Sequence, residues 1–381
     1  MGLGHVGRTI PIAEELIRRG ADVMFSTYLE GVEFVKIRGI PVVTSPSLSL
    51  ESDSTGRIDL RASFLSTGVH AIPRFMEQVT SEIKFMQAFK PDVVFSDTRL
   101  SSIIAGKLMG LPVALMLNQF MPMVPRTDEK VILSQFVDGS ILTLLGQGWG
   151  SSDVILIPDF PQPHTLSLDS LRIPETYRNL VRMIGAILPL KSEDVVGTSR
   201  VRKEAGAEEC ERLIYAAISG PTQERNPLIK LLTPVLEGFQ EGFKVVMSLG
   251  DPGKGSNPSS SGALTVIPWV EDRFEYLKAC ELVICRGGHN TIMQSISYGK
   301  PSIIIPTPNH TEQYANARRA TELGVAKAIH QKDVSTTRLL ELAEELLNGS
   351  VYRKRLDEMQ SRDYFNGIEK AMEAISELLS K

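Results

Sequence analysis

Residues 285–316 read Cys-Arg-Gly-Gly-His-Asn-Thr-Ile-Met-Gln-Ser-Ile-Ser-Tyr-Gly-Lys-Pro-Ser-Ile-Ile-Ile-Pro-Thr-Pro-Asn-His-Thr-Glu-Gln-Tyr-Ala-Asn, and their order decides the fold. The apolar run Leu282 to Cys285 predicts a short buried strand. Gly287 and Gly288 turn the backbone, and His289 to Tyr298 has helical spacing that Gly299 stops. Ser302 to Ile305 predicts a second buried strand, and Glu312 to Leu323 a further helix. Strand, glycine turn and helix aim unpaired N–H groups and the positive end of a helix dipole at one spot. That spot suits an anion such as a phosphate. Arg286, His289, Asn290 and Thr291 crowd the same turn with further donors.

The same alternation runs outward. Upstream, Arg212 to Ser219, Lys244 to Leu249 and Leu264 to Ile267 predict strands. Between them lie the Ser219-Gly220-Pro221 turn, a helix from Pro227 to Phe239, and a polar loop from Asp251 to Ser261. The first half repeats the theme. Gly2-Leu3-Gly4-His5 is a glycine turn before a helix, Arg8 to Arg19, and Asp22 to Thr27 and Ile40 to Thr44 follow as strands. Ser45 to Ser66 is polar without a period and predicts a long loop, with Ala71 to Phe89 helical after it. Asp92 to Ser96, ending at Asp97, then Val113 to Leu117 and Asp153 to Ile157 predict buried strands. Asn118 to Gly150, with its Gln-Gly-Trp-Gly turn, reads either as the wall of an apolar pocket or as a helix pair completing the core.

Such βα alternation, twice over, predicts an α/β protein of two Rossmann-like doubly wound domains. The expected division is 1–189, 190–350 and a helical tail, 351–381, with the boundary near Pro189. A strand is expected before the first glycine turn, so the N-terminal domain is expected to lack its first strand, as from a late start.

With 381 residues, 42% hydrophobic and 23% charged, the chain is long enough for two cores and too ordinary for disorder. A formal charge of −4 argues against nucleic acid as a partner. Three cysteines, Cys210, Cys280 and Cys285, offer neither metal spacing nor an even disulfide set, which fits a reducing cytoplasm. No apolar run approaches the ~20 residues of a spanning helix, and the opening residues lack a secretory pattern. A cytoplasmic location is expected, at most peripheral at the inner face of a membrane.

The opening stretch resembles the donor-binding signature of UDP-sugar glycosyltransferases of the GT-B fold, in families 1 and 28. These include the lipid II N-acetylglucosamine transferase and the diacylglycerol glucosyltransferases. The matching residues are Arg286-Gly287-Gly288-His289-Asn290-Thr291, Gly299-Lys300-Pro301 and Glu312-Gln313. The resemblance implies that the first set and Gly220 hold the donor nucleotide and that Glu312 and Gln313 face the donor sugar. Trp269-Val270, one element earlier, sits where the family meets the uracil. Gly4-His5 resembles the loop facing the acceptor, and the final helix is expected to cross back onto the first domain. The chain departs at Gln294, where the family has a ribose-binding glutamate.

The chemistry implied is inverting transfer from a UDP-sugar, as co-substrate with no further cofactor, to a small hydrophobic or lipid acceptor. An acceptor hydroxyl must lose its proton, and a His near its ordinary pKa is a natural base at neutral pH. A carboxylate on its other nitrogen fixes the tautomer. His5 and Asp97 match that dyad in position; the plainer alternatives are a helix-capping turn for His5 and an N-cap for Asp97. Arg286 reads as a phosphate partner or a surface cation. Trp269 reads as a stacking platform or core, and Glu312-Gln313 as sugar contacts or an exposed helix start. No Asp-x-Asp is placed to hold a metal, so metal-independent catalysis is expected. Two other readings stand: a UDP-N-acetylglucosamine 2-epimerase-like enzyme, and a non-catalytic nucleotide-sugar-binding subunit.

Overall fold

The computed structural model describes residues 4–47, 60–120, 145–251 and 255–380, with residues 60–71 by backbone alone. In the first half, α1 (Gly4–Arg18), β1 (Phe25–Thr27), α2 (Glu30–Ile37) and β2 (Val42–Thr44) precede the long α3 (Leu60–Phe89). β3 (Val94–Asp97), α4 (Leu100–Leu108), β4 (Val113–Met116), β5 (Val154–Ile157), the short α5 (Leu168–Leu171) and β6 (Val181–Met183) follow. All pairings are parallel, but the strands form two separate sheets, β1-β2 and β3-β4-β5-β6. β4 and β5 are buried at every position, as expected of strands covered on both faces.

α6 (Thr198–Glu204) leads into the second half. There β7 (Arg212–Ala217), α7 (Thr222–Glu237), β8 (Phe243–Ser248), β9 (Ser259–Ser261), β10 (Leu264–Ile267), α8 (Arg273–Ala279) and β11 (Leu282–Cys285) alternate. α9 (His289–Ser297), β12 (Ser302–Ile304), α10 (Thr311–Glu322), β13 (Ala326–Ala328) and α11 (Thr336–Asn348) complete the layers, followed by α12 (Ser350–Gln360) and α13 (Gly367–Leu379). The sheet order is β13-β12-β11-β7-β8-β10-β9, parallel except for the edge strand β9. Cys285 lies beside Ala217 and Ile304. The turns leaving β7, β11 and β12 therefore open side by side at one carboxyl edge, where ligands of such sheets bind.

The two halves are tied together. α13 lays Ala371, Met372, Ala374, Ile375 and Leu378 on Ala114, Met116 and Leu156 of the first half's sheet, with Ile12 of α1. α12 does not cross: its Leu356 and Met359 belong to the second half's core. In return, Phe160 and Leu166, on the strap after β5, sit in that same second core.

Several elements differ from the sequence reading. The first glycine turn is already helical at Gly4 and His5, so His5 stands in the first turn of α1. α3 begins at Leu60, inside the expected loop, and residues 48–59 lie outside the described part. Leu60, Phe64 and Leu65 have helical spacing, but the polar residues before them hid the start. α7 begins five residues before Pro227, which it carries in its second turn. β6 and β9, three residues each, are too short to show a period, and β9 interrupts the expected loop. Residues 145–150 are helical and bury Trp149 against Phe120, which places that end of the 118–150 segment in the core. Residues 121–144 of it lie outside the described part.

Candidate active site

The glycine turn is built for close approach. Gly287 has φ +93°, and a Cβ there would come within 3.0 Å of the Gln313 carbonyl and 3.1 Å of Ile304. Only glycine fits such a position without strain. Buried Asn316 donates from Nδ2 to the Gly287 carbonyl at 3.1 Å and pins the turn from behind. Gly288 is the N-cap of α9, and no side chain caps this end. The Thr291 N–H already donates to the Gly288 carbonyl at 3.1 Å, so the N–H groups of His289 and Asn290 are the ones left for a ligand.

Around the turn, the structure sorts the expected donor residues. Arg286 is 4% exposed; it donates through Nη1 to Gln331 Oε1 at 2.8 Å and through Nη2 to the Glu224 carbonyl at 2.5 Å, while its Nε is buried without a partner. Burial lowers its pKa, with the Glu224 charge opposing. It is therefore partly committed to α7 rather than a free surface cation. Gln313 uses Oε1 to accept from the Thr307 N–H at 2.8 Å, and Glu312 beside it is half-buried at the start of α10. Gly220 is exposed at φ +112°, facing the Glu224 carboxylate. Trp269 is half-buried, whereas the Val270 side chain packs into the core, leaving only its backbone for a ligand.

Facing α9 from the other half stands a charged cluster. His5 Nδ1 lies 2.8 Å from Asp97 Oδ1. Arg8 grips the same carboxylate with both arms, Nε to Oδ2 at 2.6 Å and Nη2 to Oδ1 at 2.5 Å. Thr9 Oγ1 adds a contact to Oδ2 at 3.3 Å. Burial alone would push the Asp97 carboxyl up, but the Arg8 guanidinium, then His5, holds it well below the usual carboxylate range. Asp97 is thus an ionised acceptor, and as a carboxylate it cannot donate to the imidazole. In the neutral imidazole the proton facing the carboxylate is on Nδ1, which leaves Nε2 of half-exposed His5 as the unprotonated nitrogen.

Two contacts join the halves at this place. Asn290 Nδ2 donates to the Gly4 carbonyl at 3.0 Å, so the first turn of α9 touches the first turn of α1. His289 turns away from the glycine turn: its Nε2 lies 3.1 Å from Asp159 Oδ2, within ion-pair distance but without hydrogen-bond alignment, and both its ring nitrogens are buried without a hydrogen bond. Asp159 is fully buried. Burial would raise its pKa, but His289, the Ser167 hydroxyl and the Leu166 N–H hold it low. The ring of His289 thus lies against Asp159 across the seam, which leaves its backbone N–H, in the first turn of α9, for the donor role expected of this residue. Gln294, one turn deeper and 7% exposed, lines the cleft with Arg8, Pro158 and Ile187. Thr291 is half-buried in the first turn of α9.

Sequence reading missed Arg8, Glu224, Asp159 and Asn316. Arg8 stood three residues after His5 on one helical face, and Asp159 comes just after its apolar strand as Asp97 closes β3; both signals were present. Asn316 and Glu224 act through backbone contacts that only the fold brings together.

Residues 217–376 match the family description "Glycosyltransferase family 28 C-terminal domain". An uncharacterized glycosyltransferase of Methanosarcina acetivorans is 27% identical, over 94% of this chain and 91% of its own. The UDP-N-acetylglucosamine--N-acetylmuramyl-(pentapeptide) pyrophosphoryl-undecaprenol N-acetylglucosamine transferase 1 of Bacillus cereus is 24% identical, over 90% of this chain and 87% of its own. Among solved structures, the calicheamicin glycosyltransferase CalG4 superposes with a TM-score of 0.68 at 16% identity, covering 100% of this chain and 96% of that one. MurG of Acinetobacter baumannii gives 0.61 at 16%, covering 98% and 96%.

Proposed function

We propose that this chain, a GT-B-fold protein resembling glycosyltransferases of families 28 and 1, moves a hexose or N-acetylhexosamine from a UDP-sugar to a hydroxyl of a hydrophobic or lipid acceptor, with inversion and without a metal. The observation that carries the reading is the pairing of His5 with Asp97 at 2.8 Å directly across from the uncapped start of α9. The named activity of the Bacillus relative supports a nucleotide-sugar donor and a lipid-linked acceptor.

In this mechanism the acceptor O–H gives its proton to His5 Nε2 as its oxygen bonds to the anomeric carbon. The bond from that carbon to the diphosphate oxygen breaks on the opposite face, and the pair of electrons leaves with UDP. Asp97 stabilises the imidazolium that forms. The developing negative charge on the diphosphate is met by the N–H groups and dipole of α9, by Thr291 and by the orphaned Nε of Arg286, preorganised donors of the kind that stabilise a charged leaving group. In this reading Glu312 and Gln313 meet the sugar hydroxyls and Trp269 meets the base.

The test is turnover with UDP-glucose and UDP-N-acetylglucosamine against a panel of lipid and small aromatic acceptors, repeated in EDTA. His5→Ala should lower kcat by ~10²–10⁴-fold and leave UDP affinity nearly unchanged, since His5 lies in the other half. Full activity in His5→Ala would move the base elsewhere. Release of free sugar epimer, or UDP binding with no turnover on any acceptor, would favour the epimerase-like or non-catalytic readings.

A further inference from the structure

We propose that Arg8 is a positioning residue for this reaction, acting through Asp97 to fix the orientation and tautomer of His5. The proposal rests on His5 as the base. A two-member dyad needs only a carboxylate behind the imidazole, yet here a third group, 6% exposed, occupies the carboxylate more fully than the His does.

The geometry shows what that achieves. Oδ1 of Asp97 accepts from His5 Nδ1 at 2.8 Å and from Arg8 Nη2 at 2.5 Å. Oδ2 accepts from Arg8 Nε at 2.6 Å and weakly from Thr9 at 3.3 Å. A planar guanidinium bridging both oxygens sets the plane of the carboxylate, which a point charge cannot do. Rotation of the Asp97 carboxyl would break two charged bonds at once, so Oδ1 stays aimed at Nδ1. Arg8 Nη2 also lies 3.2 Å from His5 Nδ1. An N–H directed at that nitrogen would favour the tautomer that leaves Nε2 protonated and useless as a base. Nη2 carries two N–H groups and spends only one on Oδ1, so what keeps the proton on Nδ1 is the carboxylate itself, which Arg8 holds ionised and which can only accept. Arg8 is also one helical turn from His5 on α1, so any shift of that first turn moves base and clamp together.

Arg8→Lys decides the matter. Lysine keeps the charge and a partner for Asp97, so the chain should fold, but one ammonium cannot set the plane of the carboxylate. The expected result is a kcat lower by roughly 10–10²-fold, as for a base misplaced by about an ångström. KM for the sugar nucleotide should stay within about twofold, because ground-state donor binding is untouched. Arg8→Ala should regain turnover with added guanidinium and not with equal ammonium; if it does not fold, the lysine variant stands alone. Wild-type kcat in folded Arg8→Lys, with His5→Ala inactive, would overturn the role of Arg8 while leaving the base in place. Equal rescue by ammonium would do the same. Full turnover in His5→Ala would instead remove the base reading, and this proposal with it.

Discussion

Replacing Asp97 with asparagine should destabilise the first half of the molecule in a manner set by Arg8. Arg8 and Asp97 side chains are 5% and 7% exposed, so neither charge can be rescued by water once its partner is lost. The amide keeps one acceptor oxygen, but its NH2 faces either Arg8 or His5, donor against donor. Breaking one side of a buried pair costs ~3–5 kcal/mol, because the remaining charge is left uncompensated. At roughly 2–4 °C per kcal/mol for a domain of this size, the melting transition should fall by about 10 °C. The pH dependence gives a second check. The folded-state pKa of Asp97 is depressed by Arg8 and His5 against the opposing effect of burial. A depressed carboxyl contributes stability that is fully present above its unfolded pKa of ~3.9 and is lost as pH falls toward the folded value. The gap between wild type and Asp97→Asn should narrow as pH falls below ~4. Calorimetry at several pH values reads both effects. A gap under ~1 kcal/mol at pH 7, the level of an exposed pair, or one that does not change down to pH 3, would refute the reasoning.

Further outcomes follow from the donor half. UDP at ~100 times its dissociation constant should add ~2.7 kcal/mol of stability in the presence of EDTA; loss of the melting shift on chelation would overturn metal independence. Gly287→Ala should cost ~1–2 kcal/mol from its left-handed backbone and weaken UDP further by pushing on the Gln313 carbonyl; unchanged melting and affinity would contradict the close approach at that turn. Gln294→Glu should tighten UDP by ~1–2 kcal/mol, since a carboxylate accepts from both ribose hydroxyls where an amide offers one oxygen, and titration calorimetry giving equal affinities would place Gln294 away from the ribose.

What the sequence could and could not disclose follows from the range over which each signal acts. Buried parallel strands announce themselves as apolar runs, so Leu264–Ile267 and Leu282–Cys285 were legible to the residue. Glycines at forced conformations were legible too, because Gly287 at φ +93° leaves no local alternative. The helix start at Leu60 was not read: Leu60, Phe64, Leu65 and Val69 carry helical spacing, but the Ser- and Asp-rich residues before them drew the whole of 45–66 into one loop. The site divides along the same line. His5 and Asp97 were nominated separately, each by its place after a turn or a strand, and their meeting depends on β3 and α1 packing 92 residues apart. The direction of a side chain at a seam carries no local signal at all. His289 sits where a phosphate donor was expected, yet Asp159, 130 residues upstream, captures its ring, while Asn290 next to it reaches Gly4. Both contacts cross between the halves through one turn of α9. The turn of α9 expected to seat the donor therefore also holds the Gly4 carbonyl, one residue from His5.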